Sequence, residues 1–108
     1  MQFTATEVGF ENGLGGASNS KSDDPYHYFL FGHQPDPVPG VYFEFDDQIN
    51  GDVDIVRRIS IGADQVEFAL KAHPTITVMR GDITEAKWQE FIRGIRDTFQ
   101  SDIIQSSK

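Results

Sequence analysis

The spacing of the apolar residues changes once along this chain, and that change constrains the fold more than any other feature. In residues 41–46, Val41, Phe43 and Phe45 alternate with Tyr42 and Glu44, which is the period-two pattern of a half-buried strand. Residues 65–71 alternate in the same way. Near the C-terminus the apolar residues take the spacing of one helical stripe, formed by Trp88, Phe91, Ile92, Ile95 and Phe99. A sheet followed by a helix that covers one of its faces is an α+β fold with two layers.

The turn-forming residues divide the first part of the chain into strands. The predicted strands are residues 2–10, 26–33, 41–46, 53–61, 65–71 and 75–79. A proline-rich turn at 34–40 and the Asn50-Gly51 pair separate three of them. Arg57 interrupts the apolar side of its strand and predicts a bulge or an edge position. We therefore expect an antiparallel meander of five to six strands.

Three further segments complete the predicted organisation. Residues 11–24 are predicted to form a flexible loop, because glycine, serine and asparagine dominate them. The helix is predicted from about residue 83 to about residue 100, with Asp82 and Glu85 as a capping box. Gly94 lies within that helix and would allow it to approach the sheet closely. The tail, residues 102–108, is predicted to fray, with packing of Ile103 and Ile104 as the alternative.

Length and charge limit what such a protein can do. The 108 residues predict a single domain, residues 1–108, with one modest core. The net charge of −8 argues against nucleic acid and anionic membranes as partners. There are no cysteines, which excludes disulfides, thiolate metal sites and cysteine catalysis. The N-terminal residues do not resemble a signal peptide, and no apolar run has membrane-spanning length, so we expect a cytoplasmic protein.

The strongest functional feature is a stretch from Ser22 to Val56 that has no lysine or arginine but holds eight acids. In its second half the charged and polar residues follow a strand end and a turn. The candidate contact residues there are Tyr42, Glu44, Asp46, Asp47, Gln48, Asp52 and Asp54. The carboxylates would attract a basic protein surface, and the tyrosine would add buried area. A solvated strand face without function explains the same residues about equally well.

Other kinds of site fit the sequence poorly. Residues 46–52 loosely match a calcium-binding EF-hand loop, but Arg57 stands where a bidentate glutamate is needed. Residues 15–22 resemble a phosphate loop but lack its second glycine and its helix. His27 and His33 are too far apart along one strand to share a metal ion. No serine lies in a nucleophile motif. We therefore expect no enzyme activity, no metal site and no cofactor.

The segment Gly40-Val41-Tyr42-Phe43-Glu44-Phe45-Asp46-Asp47-Gln48 resembles the central motif of the tenth immunity-protein family of bacterial polymorphic toxin systems. In that family a strand leads into an Asp-Asp-Gln turn, followed by further strands and a C-terminal helix. The resemblance covers roughly residues 26–100. It implies a small acidic cytoplasmic protein that binds a cognate toxin and blocks it, acting in competition between bacteria.

The sequence therefore predicts a toxin inhibitor that works by protein–protein interaction through the acidic segment. An alternative is a small enzyme-like or divalent-metal-binding domain that uses the carboxylates of residues 44–54. A third hypothesis is a structural role in a homo-oligomer such as a homodimer. The sequence identifies neither the toxin nor the edge strands.

Overall fold

The computed structural model describes residues 1–34 and 40–106 of the chain. Residues 35–39 of the predicted proline-rich turn, including Asp36, lie outside the described residues. The strands are β1 (Gln2–Thr4), β2 (Glu7–Glu11), β3 (Leu14–Ser18), β4 (Tyr28–Gln34), β5 (Gly40–Phe45), β6 (Asp47–Val53), β7 (Val56–Ile61), β8 (Gln65–Leu70), β9 (Ile76–Met79) and β10 (Ile104–Ser106). The helix α1 (Glu85–Thr98) follows β9, and a 3-10 turn, Ser101–Ile103, precedes β10.

The strands form two five-stranded sheets. The first, which we call the meander sheet, has the order β2-β3-β4-β5-β6 with every neighbouring pair antiparallel. The second, the mixed sheet, has the order β1-β9-β8-β7-β10. Its central strands are antiparallel, but β1 runs parallel to β9 and β10 runs parallel to β7. The predicted α+β class with a C-terminal helix is confirmed, although the described residues contain ten strands in two sheets instead of five or six in one meander.

The predicted strand at 2–10 is two strands that belong to different sheets. Ala5 donates its backbone N–H to Met79 of β9 at 2.8 Å, whereas Thr6 donates its own to Ser18 of β3 at 2.8 Å. The chain therefore changes sheet between these two residues. Hydrophobic alternation cannot reveal such a change, since both parts keep an extended backbone.

The predicted strand at 53–61 is also divided. Asp54 has a φ of +56°, in the left-handed region, and it ends β6 before β7 begins at Val56. The Asn50-Gly51 pair, predicted as a turn, lies within an irregular part of β6. Of the bulge or edge position expected at Arg57, the structure shows an irregularity, because the register between β7 and β8 shifts between Val56 and Arg58, and β7 lies between β8 and β10.

The prediction of a loop over residues 11–24 was wrong for β3, which pairs with both β2 and β4. Neighbouring groups leave no room for a side chain at two glycines of β3. A Cβ on Gly15 would lie 2.4 Å from the Phe31 ring, and one on Gly16 would lie 2.4 Å from the Phe29 carbonyl oxygen. Glycine therefore serves here to admit aromatic side chains and a close backbone, although its abundance is typical of a loop.

The helix begins two residues later than expected, and its N-cap is different. The Thr84 hydroxyl, and not the Asp82 carboxylate, accepts a hydrogen bond from the backbone of Lys87 at 3.2 Å. The predicted fraying of residues 102–108 was wrong for the described part of the tail. Ile104 pairs with Ile59 in a parallel register, so β10 forms the edge of the mixed sheet.

The core lies where the two sheets and the helix meet. Phe29 of β4 contacts Phe68 of β8, with ring centroids 4.8 Å apart, and Phe91 of α1 at 6.0 Å. Phe31 and Phe43, on the same face of the meander sheet, are also fully buried. Alternation along β4 and β5 therefore leaves Tyr28, Leu30, Tyr42 and Glu44 on the opposite, outer face of that sheet.

The close approach expected at Gly94 occurs against β2. A Cβ on Gly94 would lie 2.3 Å from Cγ of Phe10. We predict that Gly94→Ala lowers the free energy of unfolding by about 1–3 kcal/mol through overpacking, although alanine is ordinarily the better helix former by about 1 kcal/mol. Urea denaturation measures the change.

Gly62→Ala is the matched control for Gly94→Ala. A Cβ at Gly62 would meet its nearest atoms at 3.5 Å, an ordinary contact. The double variant Gly94→Ala, Phe10→Leu should recover part of the loss, since the two positions touch. A stabilised Gly94→Ala protein would contradict this packing.

Candidate protein-binding surface

The charge of the protein is unevenly divided between its two halves. Residues 1–54, which supply the whole meander sheet, hold ten acids and one lysine. Residues 55–108 hold seven acids and eight lysines or arginines. The net negative charge is therefore concentrated on the part of the molecule that contains the meander sheet, and the mixed sheet and helix are nearly neutral.

The β5–β6 end of the meander sheet brings together most of the residues predicted to bind a partner. We call this end the acidic edge and define it as Asp46, Asp47, Gln48, Asp52 and Asp54, together with Ile49. All six residues are exposed, although only 31% of the Asp46 side chain is accessible. The structure thus brings together the polar residues selected from the sequence, although Asp54 lies beyond the end of β6.

Hydrogen bonds within the chain orient the carboxylates of the acidic edge. Asp46 accepts from the backbone N–H of Tyr28 at 3.2 Å and contacts Nδ1 of His27 at 3.0 Å. Asp54 accepts from the backbone N–H of Val41 at 3.1 Å. Asp47 accepts from the backbone N–H of Ile49 at 3.3 Å, and Asp52 accepts from that of Val53 at 2.8 Å. Each carboxylate keeps exposed surface for a second partner, because a carboxylate can accept several hydrogen bonds.

Lysine and arginine do not neutralise this edge within the part of the chain that the structure describes. The ion pairs of those residues join Lys21 to Glu7, Arg80 to Asp64 and Glu85, and Lys87 to Glu90. The nearest partner of the acidic edge is His27, beside Asp46. Among the described residues the four carboxylates of the acidic edge thus make no ion pair with lysine or arginine, and their mutual repulsion opposes folding.

Glu44 is placed differently from the rest of the predicted set. It is on the outer face of the meander sheet, yet only 7% of its surface is exposed. Its two carboxylate oxygens accept hydrogen bonds from the hydroxyls of Tyr28 and Tyr42, the latter at 2.8 Å. Because its oxygens are occupied and buried, Glu44 supports the sheet and is not itself a free surface contact.

Tyr42, predicted to be an exposed contact, is half-buried. Its hydroxyl faces Gly51, where an added Cβ would lie 2.0 Å from the phenol oxygen. Burial, followed by the hydrogen bond to Glu44, raises the pKa of Tyr28, while for Tyr42 the hydrogen bond to Glu44 is the main cause of a raised pKa. Both phenols therefore stay neutral and keep donating to the carboxylate well above neutral pH.

Sequence reasoning missed Ile49, the most exposed large apolar side chain of the described residues at 87%. It lies in the irregular part of β6, between positions that pair with Phe45 and Phe43. The Asn50 amide donates to the Phe45 carbonyl at 3.0 Å, so this segment is tied to β5. The sequence did contain a sign of it, since an isoleucine inside a polar, glycine-containing turn has no core to enter.

The described residues contain no group of three or more histidine, aspartate and glutamate side chains placed to hold a metal ion. The described carboxylates of residues 44–54 thus form no such group. Within residues 1–34 and 40–106, no helix combines the length and apolar character needed to cross a membrane.

Comparison of the chain with family models, with curated proteins and with solved structures returns no match. The resemblance to the immunity-protein family thus depends on the motif in residues 40–48, whose last three residues belong to the acidic edge.

Ionisation of Tyr28 and Tyr42 beside Glu44 is expected to lower the stability of the protein at alkaline pH. A raised pKa in the folded state favours the neutral phenol, so its contribution is complete below the usual value of 10.0 and is lost as pH rises above it. We predict that the free energy of unfolding of the wild-type protein falls above about pH 10, and falls less steeply in Tyr28→Phe. Urea denaturation at several pH values measures both slopes.

Tyr28→Phe should also cost about 1–3 kcal/mol at pH 7, because it leaves a buried carboxylate oxygen without its donor. The difference in free energy of unfolding between the wild type and Tyr28→Phe should stay constant between pH 7 and pH 9, and this constancy is the internal control. Equal slopes above pH 10 in the two proteins would contradict the role given to the Tyr28 hydroxyl.

Proposed function

We propose that this protein is a binding module that holds a basic partner protein at the acidic edge. The supporting observation is the group of exposed carboxylates at Asp46, Asp47, Asp52 and Asp54, which has no lysine or arginine partner among the described residues. Such a group opposes folding and favours association with cations. A partner that brings lysine or arginine side chains to this edge relieves the repulsion.

The main effect of these charges is on the rate of association. Exposed ion pairs contribute little affinity, typically about 0–1 kcal/mol each. A concentrated field of one sign nevertheless steers an oppositely charged protein and can raise its association rate by about ten-fold to a thousand-fold at low salt. The acidic edge is suited to fast capture of a basic protein and repels nucleic acid.

Ile49 supplies the apolar contact that the carboxylates lack. An isoleucine that becomes fully buried contributes about 1.5–3 kcal/mol, and Ile49 starts from 87% exposure. Its backbone N–H donates to Asp47, and Asn50 ties the segment to β5, so little ordering is needed on binding. The partner is therefore expected to offer an apolar pocket bordered by basic residues.

The family resemblance makes a toxin the proposed partner. Asp46, Asp47 and Gln48, the end of the motif that resembles the immunity-protein family, all belong to the acidic edge. Toxins that cleave nucleic acid need a basic surface to hold phosphates, and an acidic protein can occupy that surface by presenting carboxylates. Inhibition of a cognate toxin by direct binding therefore agrees with both the charge and the motif.

We predict that reversing two charges of the edge, Asp47→Lys with Asp52→Lys, slows association with the toxin at least ten-fold at low salt. The partner to use is the proposed toxin, to be sought as the C-terminal domain of a large secreted protein encoded beside the gene of this chain. Surface plasmon resonance at several salt concentrations measures the rate. The wild-type rate should fall steeply with salt, and the variant rate should depend on salt much less.

The matched control reverses two exposed acids away from the edge, Asp97→Lys with Asp102→Lys, which changes the net charge equally. It should retain most of the association rate. Ile49→Ala should mainly speed dissociation, since it removes a short-range contact. Equal losses of association rate in the edge and control variants would show that net charge alone acts. Failure of the wild-type protein to form any complex with the toxin would refute the proposed function.

A further inference from the structure

The outer faces of the two sheets differ in chemistry. One row across the mixed sheet consists of Gln2, Thr77, Glu67, Ser60 and Gln105, as expected for a face in contact with water. The outer face of the meander sheet instead presents Leu14, Leu30, Tyr28 and Tyr42. The mixed sheet and α1 pack on the inner side with Phe29 and Phe31, although the Glu90 side chain of α1 reaches to within about 4.0 Å of where a Cβ on Gly9 would lie on the outer face.

A groove of about 360 Å³ runs over this outer face. Gly9 and Gly16 leave its floor without side chains, and Leu30, Tyr28 and Tyr26 line it together with Glu7. Tyr26 is 59% exposed, and its ring stacks on that of Tyr28 with centroids 5.7 Å apart. The groove thus combines an aromatic wall, an aliphatic side chain and a carboxylate.

A buried carboxylate, that of Glu44, contacts the Tyr28 hydroxyl at the aromatic wall. Glu44 lies opposite Leu30 in the register of β4 and β5, and its carboxylate is buried under hydrogen bonds from two tyrosines. Among the described residues it has no ion pair with lysine or arginine. A buried carboxylate without a counter-ion attracts a cation more strongly than an exposed one, because water screens it less.

A lysine or arginine side chain matches this combination. Its aliphatic stem can lie along Leu30 and the glycine floor while its charged head contacts a tyrosine face. The head is then also near the carboxylate of Glu7, which lines the groove. Lys21, the one base in this half of the chain, pairs with Glu7 at 3.2 Å and is itself exposed, so it can be displaced.

We propose that this groove, lined by Tyr26, Tyr28 and Leu30, receives an arginine or lysine side chain of the basic protein that binds the acidic edge. Charge selects this occupant over a second copy of the chain, since two such faces would bring like charges together. The groove adjoins the acidic edge, because the backbone of Tyr28 donates to Asp46. The inference depends on the proposed function and adds a second contact region to it.

The test is a titration of ¹⁵N-labelled protein with a tetra-arginine peptide, followed by amide chemical shifts. Wild-type protein should show shifts both at residues 26–30 and at the acidic edge. Tyr26→Phe should keep the groove response, whereas Tyr26→Leu should weaken it about two- to five-fold, the usual size of an exposed cation–π contact. The shifts at residues 46–54 should stay unchanged in both variants.

Gln105→Ala, on the outer face of the mixed sheet, is the control and should behave as wild type. Shifts at the acidic edge alone would overturn the groove proposal and leave the proposed function standing. Absence of shifts at both regions would overturn both. A concentration-dependent doubling of mass in light scattering, abolished by Tyr26→Ala, would show that a second copy occupies the groove and would also overturn it.

Discussion

The packing of Phe29 against side chains from every part of the fold is the contact on which the rest of the structure depends. Its ring lies within 6.1 Å of Phe3 in the mixed sheet, Phe43 in the meander sheet, Phe68 in β8 and Phe91 in the helix. Contacts of this kind contribute about 0.5–1.5 kcal/mol each beyond the burial of area. The two sheets and the helix thus share one aromatic core.

This core determines where charge and apolar surface appear outside. Since β4 and β5 direct their phenylalanines inward, their alternate residues must face outward, and these are Tyr28, Leu30, Tyr42 and Glu44. Burying the acids of the β5–β6 end in the aromatic interior would be costly, so they lie at the exposed edge. Mixed sheet and helix act as a nearly neutral support behind a charged meander sheet. This difference in charge between the two sheets follows from their side-chain composition alone.

Much of this arrangement could be predicted from local patterns, and the failures share a cause. The inward face of β5 and the buried stripe of α1 followed from periodicity, because each element has one solvent-exposed face and one buried face. The strand β3 was missed because Gly15 and Gly16 are dictated by Phe29 and Phe31, which are distant in sequence. The edge strand β10 was missed because parallel pairing with β7 leaves no mark in a short tail.

The candidate site shows the same limit. Its location at residues 42–54 and its lack of cations were visible in the sequence, since both are local properties. The burial of Glu44 was not visible, because it requires Tyr28 from another strand to lie beside it. The exposure of Ile49 left only one sign in the sequence, an isoleucine inside a polar, glycine-containing turn. The groove at Tyr26 depends on three strands and could be found only in the folded molecule.

Hydrogen–deuterium exchange of the free protein and of its complex with the proposed basic partner tests most directly whether recognition belongs to the meander sheet. We expect slower exchange on binding in residues 26–34 and 40–54, and unchanged exchange in residues 57–106. Slower exchange confined to residues 57–106 would place the partner on the mixed sheet or the helix and would contradict the assignment of binding to the acidic meander sheet.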